Sequence, residues 1–211
     1  MSDSESSVIE RVAAHLQRVF EGSQPQRASV TFLGLESIDV LRFIGGNGGN
    51  GGNGGNGDHG GDDVTYVSLG CSRHPMGEPD QMLVDPTVGP RGEIVIRMYA
   101  SAPLQGLHRS VAMLAAAPAV EGLVLTADGL IDLGEPLWQG SNCTAVVLEA
   151  DTVEQCPLSG DMEDVVFFRA IPITANEAAW VRLKGIEALR AAWAEAGIDV
   201  RDPTRAGATI G

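Results

Sequence analysis

Residues 45–57 are four Gly-Gly-Asn triplets and one further glycine, and Asp58-His59-Gly60-Gly61-Asp62-Asp63 follows. Nothing apolar in that stretch offsets the backbone entropy glycine loses on ordering. Residues 45–63 are therefore read as a disordered Gly/Asn-rich and acidic loop insertion. The repeat is too short for a solenoid and lacks the proline of collagen. Its flanks limit what the chain can fold into. Ile38 to Ile44 alternates, with Ile38, Val40 and Arg42 on one face and Asp39, Leu41 and Phe43 on the other. Val64 to Leu69 is also strand-like. The tract then becomes the expanded tip of a hairpin, because the cost of loop closure grows slowly with length.

Other segments fill in around that hairpin. Strands are expected at Val30 to Leu33, Glu93 to Tyr99, Leu123 to Leu125, Thr144 to Leu148 and Val165 to Ile171. A first helix follows Ser7, whose hydroxyl pairs with Glu10 as a capping box, and it buries Val8, Val12, Leu16 and Val19. His15 falls on its polar side and is expected to be exposed. A second helix carries Leu107, Val111 and Leu114 and is stopped by Pro118. A third opens on Thr174 and Glu177, runs a stripe of Ala179, Leu183, Ile186, Leu189 and Trp193, and ends at Gly197. Adjacent strands with short links predict an α+β fold, with a mostly antiparallel or mixed sheet flanked by about three helices. One domain over 1–211 is expected, with a flexible tail at 202–211.

Charge narrows the function classes. The chain has 211 residues and a formal net charge of −14. That argues against nucleic acid and against an anionic membrane surface as partners, and it suits a basic protein partner. No apolar run is long enough for a spanning helix. Met1 to Ser7 is acidic and polar, unlike a secretory signal. Cys71, Cys143 and Cys156 form neither a disulfide framework nor a zinc pair, which points to a reducing cytoplasm.

Gly70-Cys71-Ser72-Arg73-His74-Pro75-Met76 resembles the Gly-Met-Ser-x-x-Pro-Met signature of the suppressor of fused domain. The run ending Ile171-Pro172-Ile173-Thr174 and the segment Leu183 to Leu189 are similar to later parts of that family. The likeness spans roughly Val30 to Ile198. Cys71 stands where the family usually has methionine, Leu104 to His108 replaces a tryptophan-rich helix start, and the Gly-Asn tract is not a family feature. The resemblance implies a stand-alone bacterial-type member. Eukaryotic relatives hold a strand of a transcription factor between two domains, and with 211 residues a second such domain is not expected here, so that clamp is not carried over. What remains implied is a protein–protein interaction module, in its most concrete form an immunity protein that binds and neutralises a toxin.

The candidate chemistry is sparse. Cys71 and His74 form the one arrangement that suggests a nucleophile and its base, the alternative reading being a thiol-dependent hydrolase. No group is at hand to orient the base, so a packed strand-end turn is the favoured reading and no catalytic residue is assigned. Asp58, His59, Asp62 and Asp63 have metal-ligand chemistry but not the grammar of a calcium loop, and no metal or cofactor is expected. No phosphate-binding loop is present. Trp180 and Trp193 are expected in or beside the core. Trp138, between Gly134 and Gly140, is a candidate contact residue. The binding residues expected are Ser72, Arg73 and His74, within a loop from Ser72 to Asp80, together with Trp138.

Overall fold

A computed structural model of the protein describes residues 2–21, 23–45, 63–77 and 88–209. In chain order the elements are α1 (Ser2–Val19), β1 (Gln26–Val30), β2 (Ile38–Ile44), β3 (Asp63–Leu69), a 3-10 turn at Cys71–Arg73, β4 (Arg91–Tyr99), α2 (Leu107–Glu121), β5 (Leu130–Asp132), β6 (Cys143–Ala150), β7 (Val165–Thr174), α3 (Ala175–Lys184) and α4 (Ile186–Ala196). The seven strands form one sheet in the order β1-β2-β3-β4-β7-β6-β5. Every pairing is antiparallel except β4 with β7. The fold is thus α+β around a mixed sheet, as the strand patterns predicted.

Period-two alternation divides the core between the two faces of the sheet. Val64, Ile94, Ile96 and Val146 meet α2 through Val111 and Leu114. Val67, Val95 and Phe167 meet α1 through Val8, Val12 and Leu16. Val147, Ile171 and Ile173 meet α3 and α4 through Ala178, Leu189 and Trp193. A central strand such as β4 is covered on both faces, so its apolar residues run nearly continuously. Among the described residues no helix is long and apolar enough to cross a membrane.

Several local expectations are corrected. The first strand lies at Gln26–Val30, not Val30 to Leu33. Arg27 and Ser29 both bond Asp39 of β2 and fix that register. Phe32 to Leu35 is instead a turn closed by Leu35 N–H on Phe32 C=O at 3.2 Å, with Gly34 at φ 81°. Leu123 to Leu125 is not a strand, and β5 pairs with β6 in its place. Helix α1 begins at Ser2, so Ser7 lies inside it rather than capping it. Pro118 does not stop α2. The helix runs on to Glu121 and ends where left-handed Gly122 donates to the Pro118 carbonyl. The last helix is two helices, broken at Gly185 with φ 84° and ψ 166°. The break leaves Ala179 and Leu183 exposed, while Ile186, Leu189 and Trp193 stay buried. His15 is buried, its ring stacked on Phe167 and its Nε2 2.8 Å from the Glu154 carbonyl.

Part of the tail expected to be flexible, Arg205 to Ala208, packs against the start of α3. Thr174 and Glu177 make the predicted capping box, and the Glu177 carboxylate gathers more donors. Trp193 Nε1 reaches it at 2.8 Å, Arg205 at 2.9 Å to each oxygen and Ala208 N–H at 3.0 Å. Gly207 packs so closely on Thr174 that a Cβ there would sit 2.9 Å from Oγ1. Burial alone would raise the Glu177 pKa, but the bonds from Arg205, Thr174, Trp193 and Ala208 outweigh it and lower it to about 2.

Two predictions follow from these contacts. A depressed folded pKa gives stability that is present above about pH 4.5 and is lost as pH falls toward 2. Urea melts of Glu177→Gln should show a loss of about 3 kcal/mol at pH 7. Between pH 4.5 and 2 the variant should show a much flatter pH dependence than the parent. The expanded hairpin generates the second. Ile44 pairs with Val64, and Gly45 N–H donates to Asp63 C=O at 2.9 Å, so the pairing includes the first glycine of the Gly-Asn tract, whose residues 46–57 lie outside the described residues. Deleting residues 46–57 should preserve cooperative thermal unfolding and add about 1 kcal/mol through the shorter loop.

Candidate functional site

The turn after β3 carries most of the sequence-predicted residues, and buried charges shape it. Gly70 takes φ 144°, and a Cβ there would meet Ile38 Cα at 3.4 Å. The chain then makes its 3-10 turn, with Ser72 fully buried. Glu93 of β4, also fully buried, accepts from Gly70 N–H at 2.9 Å, Ser72 N–H at 3.1 Å and Ser72 Oγ at 2.6 Å. Its other oxygen accepts from Ser68 Oγ, which in turn accepts from Ile94 N–H at 2.8 Å. Arg91, two residues earlier, donates to the carbonyls of Ser72 at 2.9 Å and Arg73 at 2.8 Å. Met76 closes the segment, its N–H on Pro90 C=O at 2.7 Å and its sulfur accepting from Leu125 N–H at 3.4 Å.

Arg73 and His74 emerge from this turn at the surface. Arg73 Nε lies 2.8 Å and His74 Nε2 3.3 Å from the same Glu36 oxygen. Together with the turn at Phe32 to Leu35 and the C-terminal half of α2, they rim a groove of about 410 Å³. Its walls are mostly apolar: Leu35, Ile38, Met76, Ala115, Ala116 and Ala119.

The structure brings Ser72, Arg73 and His74 onto one turn but not Trp138. That side chain is buried beside a separate cavity of about 530 Å³, lined also by Gln105, Asn142 and Arg205. Ser72 is equally buried, so of the four expected contact residues only Arg73 and His74 offer side chains to a partner. Residues 78–80 of the expected binding loop lie outside the described residues. The thiol reading finds no support in the geometry. Burial, and then the charge of Glu93, push the Cys71 thiol well above its ordinary value, which disfavours the thiolate. His74 is turned to Glu36. Of the metal candidates, Asp58, His59 and Asp62 lie outside the described residues, and Asp63 faces Arg201 at 3.5 Å. Among the described residues no cluster of three His, Cys, Asp or Glu could hold a metal.

Sequence reasoning missed Glu36, Arg91 and Glu93. The alternation in Arg91-Gly92-Glu93 does place the two charges on one face of a strand, but it does not say that a turn lies beneath them.

Comparison with known proteins agrees with this architecture. The family described as suppressor of fused protein (SUFU) matches residues 34–206, and the chain belongs to it. A solved suppressor of fused homologue from Neisseria gonorrhoeae is similar over 100% of both chains, at 20% identity and a TM-score of 0.66. A Sufu–Fu complex matches over 96% of this chain and 91% of the other, at 13% identity and a TM-score of 0.58. Drosophila Suppressor of Fused matches over 94% of this chain but 50% of its own, at 14% identity and a TM-score of 0.62. No curated protein matches the sequence.

The packing around Cys71 yields a prediction. Cys71 lies against the α2-side core, where the family usually carries methionine. Cys71→Met should fold cooperatively and change stability by less than about 1.5 kcal/mol in urea denaturation.

Proposed function

We propose that this suppressor of fused family member is a non-catalytic protein–protein interaction module, and specifically an immunity protein that binds and neutralises a toxin. One observation carries the reading. Two buried charges, Arg91 and Glu93, hold a turn rigid so that Arg73 and His74 stand at the rim of an open apolar groove. Such an arrangement suits contact with a preformed surface and lacks an activated nucleophile. Family membership supports it, since one similar fold, a Sufu, was solved in complex with Fu.

The net charge of −14 favours fast encounter with a basic toxin such as a nuclease, and it makes nucleic acid and membrane surfaces poor partners. The cytoplasm is the compartment that three free cysteines suit best. The test is capture of the partner from the native cell, followed by association kinetics. Association should slow as salt rises to about 0.5 M, while dissociation changes less. Arg73→Ala combined with His74→Ala, which removes both side chains without adding negative charge, should weaken binding about tenfold or more. Undiminished binding would remove this turn from the interface. Turnover of a small molecule would replace the binding reading with the hydrolase one.

A further inference from the structure

We propose that the cavity between Arg42 and Tyr66 of the sheet and residues 100–104 binds a small carboxylate with an apolar body. The site shares no lining residue with the groove beside the Gly70–Met76 turn. It goes beyond the interaction-module reading, and each stands or falls without the other.

Arg42 of β2 and Tyr66 of β3 are register partners, so their side chains share one face of the sheet. The guanidinium carbon lies 5.9 Å from the centre of the Tyr66 ring. Nη1 of Arg42 donates to Gln26 Oε1 of β1 at 2.9 Å, which anchors one end of the guanidinium fork. No other nitrogen of that fork is bonded among the described residues, and Nε is buried without an acceptor. No carboxylate of the described residues lies within ion-pair distance. Arg97 and Arg205, also withdrawn from water, take the carboxylates of Asp151 and Glu177. Arg42 is a half-buried cation that lacks such a counter-charge. Tyr66 is 6% exposed, and its hydroxyl also makes no hydrogen bond among the described residues. Buried polar groups are ordinarily bonded, so two neighbouring exceptions at one cavity point to a ligand.

The cavity holds about 360 Å³. Arg42 and Tyr66 share its wall with Val64, Ala100, Ser101, Ala102, Pro103 and Leu104, and no carboxylate stands among these residues. A ligand carboxylate supplies the missing counter-charge and accepts from the guanidinium and from the Tyr66 hydroxyl. A carbon body suits Val64, Pro103 and Leu104, and the volume, small for a ligand site, limits that body to about one ring or a short branched chain. The net charge of −14 opposes anions in proportion to their own charge. A single carboxylate is therefore favoured over a phosphate dianion or an acidic macromolecule.

Phenylacetate is the probe, titrated into the full chain and followed by the methyl shifts of Val64 and Leu104. Phenylacetamide keeps its shape without the charge, and acetate keeps the charge without the ring. Phenylacetate should shift both methyls and bind about tenfold tighter than either control. Arg42→Gln should reduce it to the level of phenylacetamide. Tyr66→Phe, which deletes only the hydroxyl, should weaken phenylacetate about threefold or more. That second variant decides the matter if Arg42→Gln melts without cooperativity. Equal binding of phenylacetamide, shifts confined to other methyls, or binding indifferent to Tyr66→Phe and to a folded Arg42→Gln would each overturn the proposal. So would inorganic phosphate or acetate binding as tightly as phenylacetate, which would make this a general anion site. A short peptide ending in a free phenylalanine carboxylate that binds tighter than phenylacetate would assign the site to a protein terminus and overturn the small-molecule ligand. No shift at about 20 mM phenylacetate would overturn the site itself.

Discussion

Glu93 has no solvent exposure, and a carboxylate removed from water without partners would cost several kcal/mol. It is met by two backbone N–H groups and two serine hydroxyls, all drawn from Ser68, Gly70 and Ser72. Arg91, also almost fully buried, performs the complementary task on the Ser72 and Arg73 carbonyls. The two residues are separated by one glycine, so strand geometry puts both on the same side of β4. The turn's donors go to one and its acceptors to the other. An irregular segment thereby satisfies its buried backbone without a ladder of its own.

The consequences run outward from that junction. With the backbone of Gly70 to Arg73 fixed, Cys71 is directed toward the apolar side of α2 and Arg73 and His74 toward Glu36. The groove then has one wall that resists deformation. Its opposite wall is a helix docked by Val111 and Leu114 on the sheet. A partner meeting that turn would find a preformed surface, and little affinity would be lost to ordering it.

The strands flanking the glycine tract, the helix of Leu107 to Leu114 and the box at Thr174 and Glu177 were readable because each rests on local periodicity or a local side-chain-to-backbone bond. Failures arose where a distant partner decided the outcome. Phe32 and Leu33 look like strand, but the bonds of Arg27 and Ser29 to Asp39 place the strand earlier. His15 looks exposed on its helix, but the Glu154 carbonyl and Phe167, both far along the chain, cover it. The tail looks loose because nothing in Pro203 to Thr209 reveals that Glu177 waits for Arg205 and Ala208. The signature turn announced itself as a motif, whereas the groove beside it did not. Three segments far apart in sequence build it, and its helical wall is made of alanines that read only as good helix formers.

Glu93 and Glu177 solve the same physical problem at two separate places. Each is a buried carboxylate that accepts from two backbone N–H groups, and the two sets of partners share no residue. With no shared partner, changes to the two networks are expected to add in their effects on stability. Arg73 and His74 belong to the surface side of the first network through their side chains. Arg91 and Glu93 hold that turn through its backbone and Ser72. Changing those two surface side chains leaves every one of these internal bonds available. A loss of binding on their replacement is then a statement about contact with the partner, separable by a melting curve from a loss of fold.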